Sequence, residues 1–122
     1  MFVNLMIKNG LNGKLIINTA NIVRVEQEED GSAFILINHG AEDFFTYNVE
    51  SSYDDVKKLI KNSVEFTYVC TTQKFSMDAS DIINVLLDAE NNTNIVEYGT
   101  NNIHVVAETI EQVAAILESS EC

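Results

Sequence analysis

Hydrophobic and polar residues alternate in short runs along most of the chain, the period of two that is typical of β-strands. In the first half this pattern predicts five strands, over residues 2–7, 14–18, 22–26, 33–38 and 42–49. The Asn-Gly pairs within 8–13 predict a tight hairpin turn between the first two strands. The charged segment 28–32 predicts another turn, in which Gly31 supplies the unusual backbone angle.

The period of two ends after residue 49, and a helical spacing takes its place. Apolar side chains then recur at i, i+3, i+6 and i+7, as on one face of a helix, at Tyr53, Val56, Leu59 and Ile60. Ser51 or Ser52 can cap this helix, since a serine oxygen accepts from the first free amides. Asp54 and Asp55 in the first turn suit the positive end of the helix dipole. We therefore expect a short helix to close the first half.

The second half of the sequence repeats the plan of the first. The stretch 14–25 recurs as 74–85, with matches at Lys14 and Lys74, Asn18 and Asp78, Asn21 and Asp81, Ile22 and Ile82, and Val25 and Val85. Further strands are predicted over residues 64–71, 74–77, 82–87, 95–98 and 103–106. Thr109, with Gln112 three residues later, forms the signature of a capping box and predicts a closing helix.

These patterns predict an α+β fold of two tandem repeats, with boundaries at 1–63 and 64–122. Each repeat is expected to be an antiparallel β-meander followed by a short C-terminal helix. A unit of about 60 residues has a marginal core by itself. We therefore expect the two units to pack together pseudo-symmetrically, about an approximate two-fold axis, as one compact fold.

The first unit resembles the FlbD family of small flagellar-operon proteins. The matching residues are Leu11-Asn12-Gly13, then Asn18 through Ile22 to Val25, then Val49-Glu50-Ser51 with Asp55-Val56. The resemblance covers most of residues 3–60; the second unit keeps the polar step and the helix entry but reads Thr71-Thr72-Gln73 in place of the Asn-Gly turn. It implies a tandem duplicate of an FlbD-like unit with no catalytic residues to transfer. A bacteriophage origin is a hypothesis that suits such a small, acidic duplicate.

The charge balance is strongly acidic, with a net charge of −12. Residues 1–63 carry nine acidic and six basic side chains, a difference of −3, and residues 64–122 carry ten and one, a difference of −9. A surface of this kind repels phosphate backbones and anionic lipids, so we expect neither direct nucleic-acid binding nor membrane binding. It suits solubility, a basic protein partner or bound cations.

Two cysteines, Cys70 and Cys122, are too few for a disulfide framework and fit a reducing compartment. Cys70 lies in an apolar strand-like run, which predicts burial and a raised thiol pKa. The N-terminus lacks the features of a signal peptide, and no apolar run approaches the roughly 18 residues that a membrane span needs. We expect a cytoplasmic protein of a bacterial or phage-infected cell, or a virion component.

No group of residues in the sequence marks a catalytic, metal or cofactor site, and we expect a non-enzymatic protein. The acidic run 26–30 is interpreted as a solvated hairpin, with a cation site as the alternative, because its spacing is not that of an EF-hand. His39 and His104 have no cysteine or histidine at zinc-ligand spacing, so surface or hydrogen-bonded roles are expected.

The candidate binding residues are aromatic and acidic. Phe44 and Phe45 face opposite sides of a strand, so one should be in the core and the other covered by the second unit or exposed as a binding patch. The leading hypothesis is a protein-binding or assembly protein that acts through sheet edges and an acidic surface, with a protein partner or a homo-oligomer. The alternative is an acidic inhibitor that masks a basic nucleic-acid-binding surface of a host protein. A cluster of five acidic residues on one exposed face would favour the inhibitor: Asp78, Asp81, Asp88, Glu90 and Glu97.

Overall fold

The structure, a computed structural model, describes residues 1–8, 13–38 and 44–120. Ten strands and two α-helices are found in these ranges. The strands of the first half are β1 (Phe2–Met6), β2 (Lys14–Asn18), β3 (Ile22–Gln27), β4 (Ser32–Asn38) and β5 (Phe44–Ser52), followed by α1 (Tyr53–Lys57). Those of the second half are β6 (Ser63–Thr67), β7 (Lys74–Asp78), β8 (Ile82–Leu87), β9 (Thr93–Glu97) and β10 (Ile103–Val106), followed by α2 (Ile110–Ser120).

Side-chain caps fix the ends of several elements where the sequence predicted them. Asn18 accepts a hydrogen bond from the Ala20 amide, and this bond starts a single 3-10 turn between β2 and β3. Ser52 caps α1 by accepting from the Asp55 amide. Gly31 has a φ of +87° in the turn between β3 and β4, as predicted. The Asn-Gly turn within 8–13 lies mostly outside the described residues.

The strands form three antiparallel sheets. The largest has five strands in the order β5-β4-β3-β7-β6, a second has three in the order β10-β9-β8, and β1 and β2 form a two-stranded ribbon. In the five-stranded sheet β3 pairs with β7, with Arg24 opposite Met77 and Glu26 opposite Phe75. Strands from both halves of the chain therefore share one sheet.

The predicted α+β fold of two meander-plus-helix repeats is wrong. The chain is a small β-rich domain, in which α1 has only 5 residues and α2 only 11. Neither half is a continuous meander, because β2 does not pair with β3, and β7 pairs with β3 rather than with β8. A two-fold axis would relate the β3–β7 pair to a β8–β2 pair, yet β8 and β2 belong to different sheets, so the pseudo-two-fold packing is also wrong. The division at residues 63 and 64 stays a prediction.

The buried apolar side chains form two clusters. Beneath α1 lies a set that includes the fully buried Val25, Ala33, Ile35, Val49 and Val56. A second set lies beneath α2 and consists of Val64, Phe66, Phe75, Met77, Ile95, Val106 and Val113. The five-stranded sheet links the two clusters.

Cys70 is exposed, contrary to the expectation that it is buried in a strand. Strand β6 ends at Thr67, and the chain turns so that Cys70 has a φ of +59°. The Thr71 hydroxyl donates to the Tyr68 carbonyl at 2.8 Å and stabilises that turn. The strand-like alternation that includes Phe66 and Tyr68 therefore ends before it reaches Cys70.

Candidate functional site

A buried ion pair joins the five-stranded sheet to the three-stranded one. Arg24 projects from β3, and its Nη1 lies 2.7 Å and 2.8 Å from the two carboxylate oxygens of Glu97 on β9. Both side chains are buried, Glu97 completely. Arg24 Nε also donates to Glu26 at 2.8 Å, and the Thr100 hydroxyl donates to Glu97 at 2.6 Å. The Nε and Nη1 of Arg24 and both carboxylate oxygens of Glu97 thus have partners that offset the loss of water.

His104 on β10 extends this buried cluster. Its Nε2 lies 3.2 Å from Glu97 Oε2, and its Nδ1 lies 3.2 Å from the Tyr68 hydroxyl. Arg24 Nη1 also lies 3.0 Å from Nε2, so the neutral ring either donates from Nε2 to the carboxylate and accepts at Nδ1 from the tyrosine, or accepts at Nε2 from the arginine and donates from Nδ1 to the tyrosine. In the part of the chain that the structure describes, no buried side-chain nitrogen or oxygen lacks a hydrogen-bond partner. The expectation that His104 has a hydrogen-bonded role is confirmed.

The surroundings of Arg24 and Glu97 shift the pKa of each side chain in the direction that favours its charged form. Burial tends to raise the pKa of Glu97, but the hydrogen bond from His104 and the charge of Arg24 outweigh it, so the pKa is lowered. Burial likewise opposes the charge on Arg24, and Glu97 overcomes that effect, so the arginine pKa is raised. Tyr68 has a raised pKa because it is buried and lies near Glu26. Both shifts favour the charged forms of Arg24 and Glu97, as in a buried ion pair.

An open cleft of about 580 Å³ lies beside the cluster. Its wall combines aromatic and polar side chains, which are Arg24, Phe34, Leu36, Phe44, Thr46, Thr100, Asn101 and Asn102, with Gly99 between them. The Phe44 ring packs against Gly99 of the second half, and Phe45 is exposed to solvent. Of the two phenylalanines singled out from sequence, Phe44 is thus the one covered from the second half.

Four of the seven basic side chains in the sequence lie around the end of α1, in what we call the lysine surface: Lys57, Lys58, Lys61 and Lys74. Lys57 and Lys74 both approach Glu65, at 2.8 Å and 3.9 Å, so the strand segments and the helix bring them together. Lys58 and Lys61 are exposed, and no salt bridge joins either to another described residue. This is the most basic stretch of an otherwise acidic chain.

The five acidic residues proposed from sequence do not share one exposed face. Glu97 is completely buried in the ion pair, which removes it from any surface. Asp78 caps the 3-10 turn after β7 by accepting from the Ser80 amide, and Asp88 caps the β8–β9 turn by accepting from the Asn92 amide. Glu90 is exposed. Burial, together with the charges of Asp78 and Glu97, raises the pKa of Asp81 to about 6.

The acidic run 26–30 forms the end of β3 and the turn that follows. Asp30 accepts from the Ser32 amide at 2.9 Å and pairs with Lys8, which lowers its pKa. A shallow cleft of about 820 Å³ opens beside this turn, lined by Lys8, Gln27–Gly31 and Thr71–Gln73. Within the described residues no group of three or more His, Cys, Asp or Glu side chains is arranged to hold a metal ion. His39 lies outside the described residues.

Sequence reasoning missed the buried ion pair and the lysine surface. Arg24 sits in the apolar strand Ile22-Val23-Arg24-Val25, and a lone arginine in such a run signals a buried partner. Its partner lies 73 residues away, a separation that no local pattern spans. Lys57, Lys58 and Lys61 were visible as a cluster, but Lys74 joins them only through the β6–β7 hairpin.

Comparison with known proteins gives a likeness of fold. No family model and no curated protein matches the sequence. Among solved structures, the chain is similar to the LytTr DNA-binding domain of a response regulator from Bacillus cereus, with a TM-score of 0.58 and 11% identity. The match covers 96% of this chain and 94% of that domain. The whole chain thus shares the fold of one domain of known structure.

This likeness corrects the interpretations drawn from sequence. The matched structure is a LytTr DNA-binding domain, so the resemblance to the FlbD family and the hypothesis of a phage origin are not supported. The hypotheses of a protein-binding or assembly protein and of an acidic inhibitor are wrong for the same reason. The exclusion of direct nucleic-acid binding rested on net charge alone, and it is contradicted by a fold that serves as a DNA-binding domain elsewhere.

Among the described residues, neither α1 nor α2 has the length and apolar character needed to cross a membrane.

Proposed function

We propose that the protein is a nucleic-acid-binding domain whose ligand is double-stranded DNA. The observation that carries the proposal is the fold likeness to a LytTr DNA-binding domain, which extends over 96% of the chain. A match over nearly the full length of both chains includes all three sheets, so it is not a likeness of one hairpin. Domains with such β-rich architecture can present loops and strand ends to a duplex without a recognition helix.

The acidic composition constrains where the DNA can lie. With a net charge of −12, most of the surface repels phosphates, and contact must be confined to a local basic region. The lysine surface meets this condition, since Lys58 and Lys61 are exposed and Lys74 comes from the neighbouring hairpin. Asp54 and Glu65, which pair with Lys57, limit the number of cations available to phosphates. We infer a small number of phosphate contacts and modest affinity.

The experiment is fluorescence anisotropy with labelled DNA duplexes at 50 and 200 mM salt. We expect binding that weakens with salt, because each phosphate contact releases bound counterions. The double substitution Lys58→Gln with Lys61→Gln removes two exposed cations. It should lower the slope of log K against log [salt] by about 2.

The matched control is Ala114→Glu with Ala115→Glu on α2, where both alanines are exposed. This pair changes the net charge by the same −2 but lies on α2 and leaves all the lysines in place. An equal loss of binding in both variants would show that only net charge matters and would place the DNA elsewhere. No binding by the unaltered protein to any duplex at 50 mM salt would contradict the proposed function.

The proposal carries no catalytic step, in keeping with the prediction that the protein is not an enzyme. A cytoplasmic location follows from the proposed ligand, since chromosomal DNA is found there in bacteria. A cell-fractionation experiment on the native source would test the location independently of DNA binding.

A further inference from the structure

Two strands keep an unpaired edge among the described strands. Strand β8 is the outer strand of the three-stranded sheet, and β2 pairs with β1 alone. The other sheet ends are approached by neighbours: Ile7 after β1 bridges to Val49 of β5, and Tyr68 after β6 bridges to Val106 of β10. An open edge presents unsatisfied amides and carbonyls that can pair with another chain.

The protein contains a template for how these two edges would pair. Strand β3 pairs with β7 inside the chain, and β3 corresponds to β8 while β7 corresponds to β2. The correspondence is structural as well as sequential, because β3 has a register shift between Ile22 and Arg24, and β8 has one between Ile82 and Asn84. The same 3-10 turn follows β2 at Asn18 and β7 at Asp78. The free edges are therefore copies of the two edges that already fit each other.

The free edges are also unusually apolar for a surface. On β8 the exposed fractions are 50% for Ile83, 44% for Leu86 and 48% for Leu87, and on β2 Ile16 is 67% exposed. At the internal junction the paired residues Val25 and Ser76 are completely buried. Natural edge strands are usually protected by charges or proline. Here Asn84, Leu86 and Leu87 provide no such protection.

A polar contact at the β3–β7 junction is replaced by two apolar residues at the corresponding positions beside the free edges. Tyr53, the first residue of α1, lies 2.5 Å from the Ser76 hydroxyl across the β3–β7 junction. The corresponding positions are Ile110, the first residue of α2, and Ile16 on β2. A tyrosine–serine hydrogen bond is thus matched by two isoleucines, which suit each other when they are buried together.

We propose that β8 of one copy pairs antiparallel with β2 of a second copy, in the register that β3 and β7 use. Asn84 then lies opposite Ile17, Val85 opposite Ile16, and Leu86 opposite Leu15. The joint creates a second five-stranded sheet, in the order β10-β9-β8-β2-β1, across the two copies. The contact uses different surfaces on each copy, so it is heterologous and builds a ring or a filament. The proposal concerns a contact between copies and not the function of the domain, and it does not depend on the proposed DNA binding.

The test is mass in solution by light scattering after size exclusion, without DNA, over a range of protein concentrations. The unaltered protein should exceed the single-chain mass of 13.6 kDa at high concentration. Ile16→Lys blocks the β2 edge and Leu86→Lys blocks the β8 edge, so each variant alone should be a monomer. An equimolar mixture retains one good edge of each kind and should form a dimer and nothing larger.

The control is Ile103→Lys, an equally exposed isoleucine on β10 that lies on neither edge. It should assemble like the unaltered protein. A monomeric unaltered protein at every concentration, or a mixture that stays monomeric, would overturn the proposal. If either lysine variant unfolds, hydrogen exchange of the unaltered protein provides the test. The amides of β2 and β8 should gain protection as the protein concentration rises. Unchanged protection would overturn the pairing.

Discussion

Arg24 and Glu97 come from different sheets and different halves of the chain, yet one guanidinium nitrogen lies within 2.8 Å of both carboxylate oxygens. The pair lies in the interior between β3 and β9, where neither charge would be stable alone. Thr100, Glu26 and His104 complete its hydrogen bonds. This contact links the three-stranded sheet to the five-stranded one through side chains.

Removing Glu97 should be severely destabilising. Glu97→Ala leaves the buried Arg24 guanidinium with Glu26 as its remaining ion-pair partner, and removing one partner of a buried pair typically costs about 3–5 kcal/mol. The free energy of unfolding from urea titrations, followed by circular dichroism, measures the loss. The double variant Arg24→Met with Glu97→Leu removes both charges and should recover most of the stability. A double variant as unstable as Glu97→Ala would show that the side-chain shape, not the unpaired charge, is responsible.

Asp81 should make the protein less stable as the pH rises from about 4 to 7. Its folded pKa of about 6 lies above the ordinary 3.8, so the folded state binds the proton more tightly than the unfolded state. The stabilisation is complete below pH 3.8 and is lost as the pH passes through 6. Asp81→Asn should therefore gain stability relative to the unaltered protein at pH 7, and this advantage should shrink at pH 4.5.

The matched control for Asp81 is Asp88→Asn, for which the sign is reversed. Hydrogen bonds from Asn94 and from the Asn92 and Glu90 amides lower the pKa of Asp88. Its contribution is present above the ordinary pKa and is lost as the pH falls, so Asp88→Asn should lose stability at pH 7. Unfolding curves that respond to pH alike in both variants would contradict the environments described for these two carboxylates.

Gly99 and Gly31 form a matched pair for testing the contact of Phe44. Both have positive φ angles, +88° and +87°, so alanine at either position should cost roughly 1–2 kcal/mol for the backbone alone. At Gly99 the added methyl group would also come within 3.3 Å of the Phe44 ring, whereas at Gly31 it meets open space. Thermal unfolding should show the larger loss for Gly99→Ala, and Phe44→Leu should reduce that excess. Equal losses would mean that the ring moves aside freely.

The capping box of α2 gives a smaller effect. The Thr109 hydroxyl accepts from the Gln112 amide at 3.1 Å, and the Gln112 side chain accepts from the Thr109 amide at 2.8 Å. Thr109→Ala should lower the free energy of unfolding by about 1 kcal/mol, while Thr109→Ser should keep it. Chemical denaturation of the two variants side by side checks this, and a serine variant as weak as the alanine one would contradict the capping role.

Local features were predictable because their causes lie within a few residues. The strand starts at Lys14, Ile22 and Ile82, the Ser52 cap and the capping box of α2 were all placed correctly. Alternation, serine and threonine caps, and the turn at Gly31 act through neighbours in the chain. The predicted strand 64–71 was too long, because the chain leaves β6 after Thr67 and Tyr68 forms a bridge to Val106 of β10 instead.

The sequence by itself thus determined the order of the elements, their turns and caps, and which half carries most of the negative charge. Only the tertiary structure decided that β7 pairs with β3, that Glu97 is buried against Arg24, and that Lys74 joins the lysines of the α1 end. The physical reason is that strands of period two offer similar backbone hydrogen bonds to many partners. Which edges meet, and which charges lose their water, depends on how all the strands pack at once.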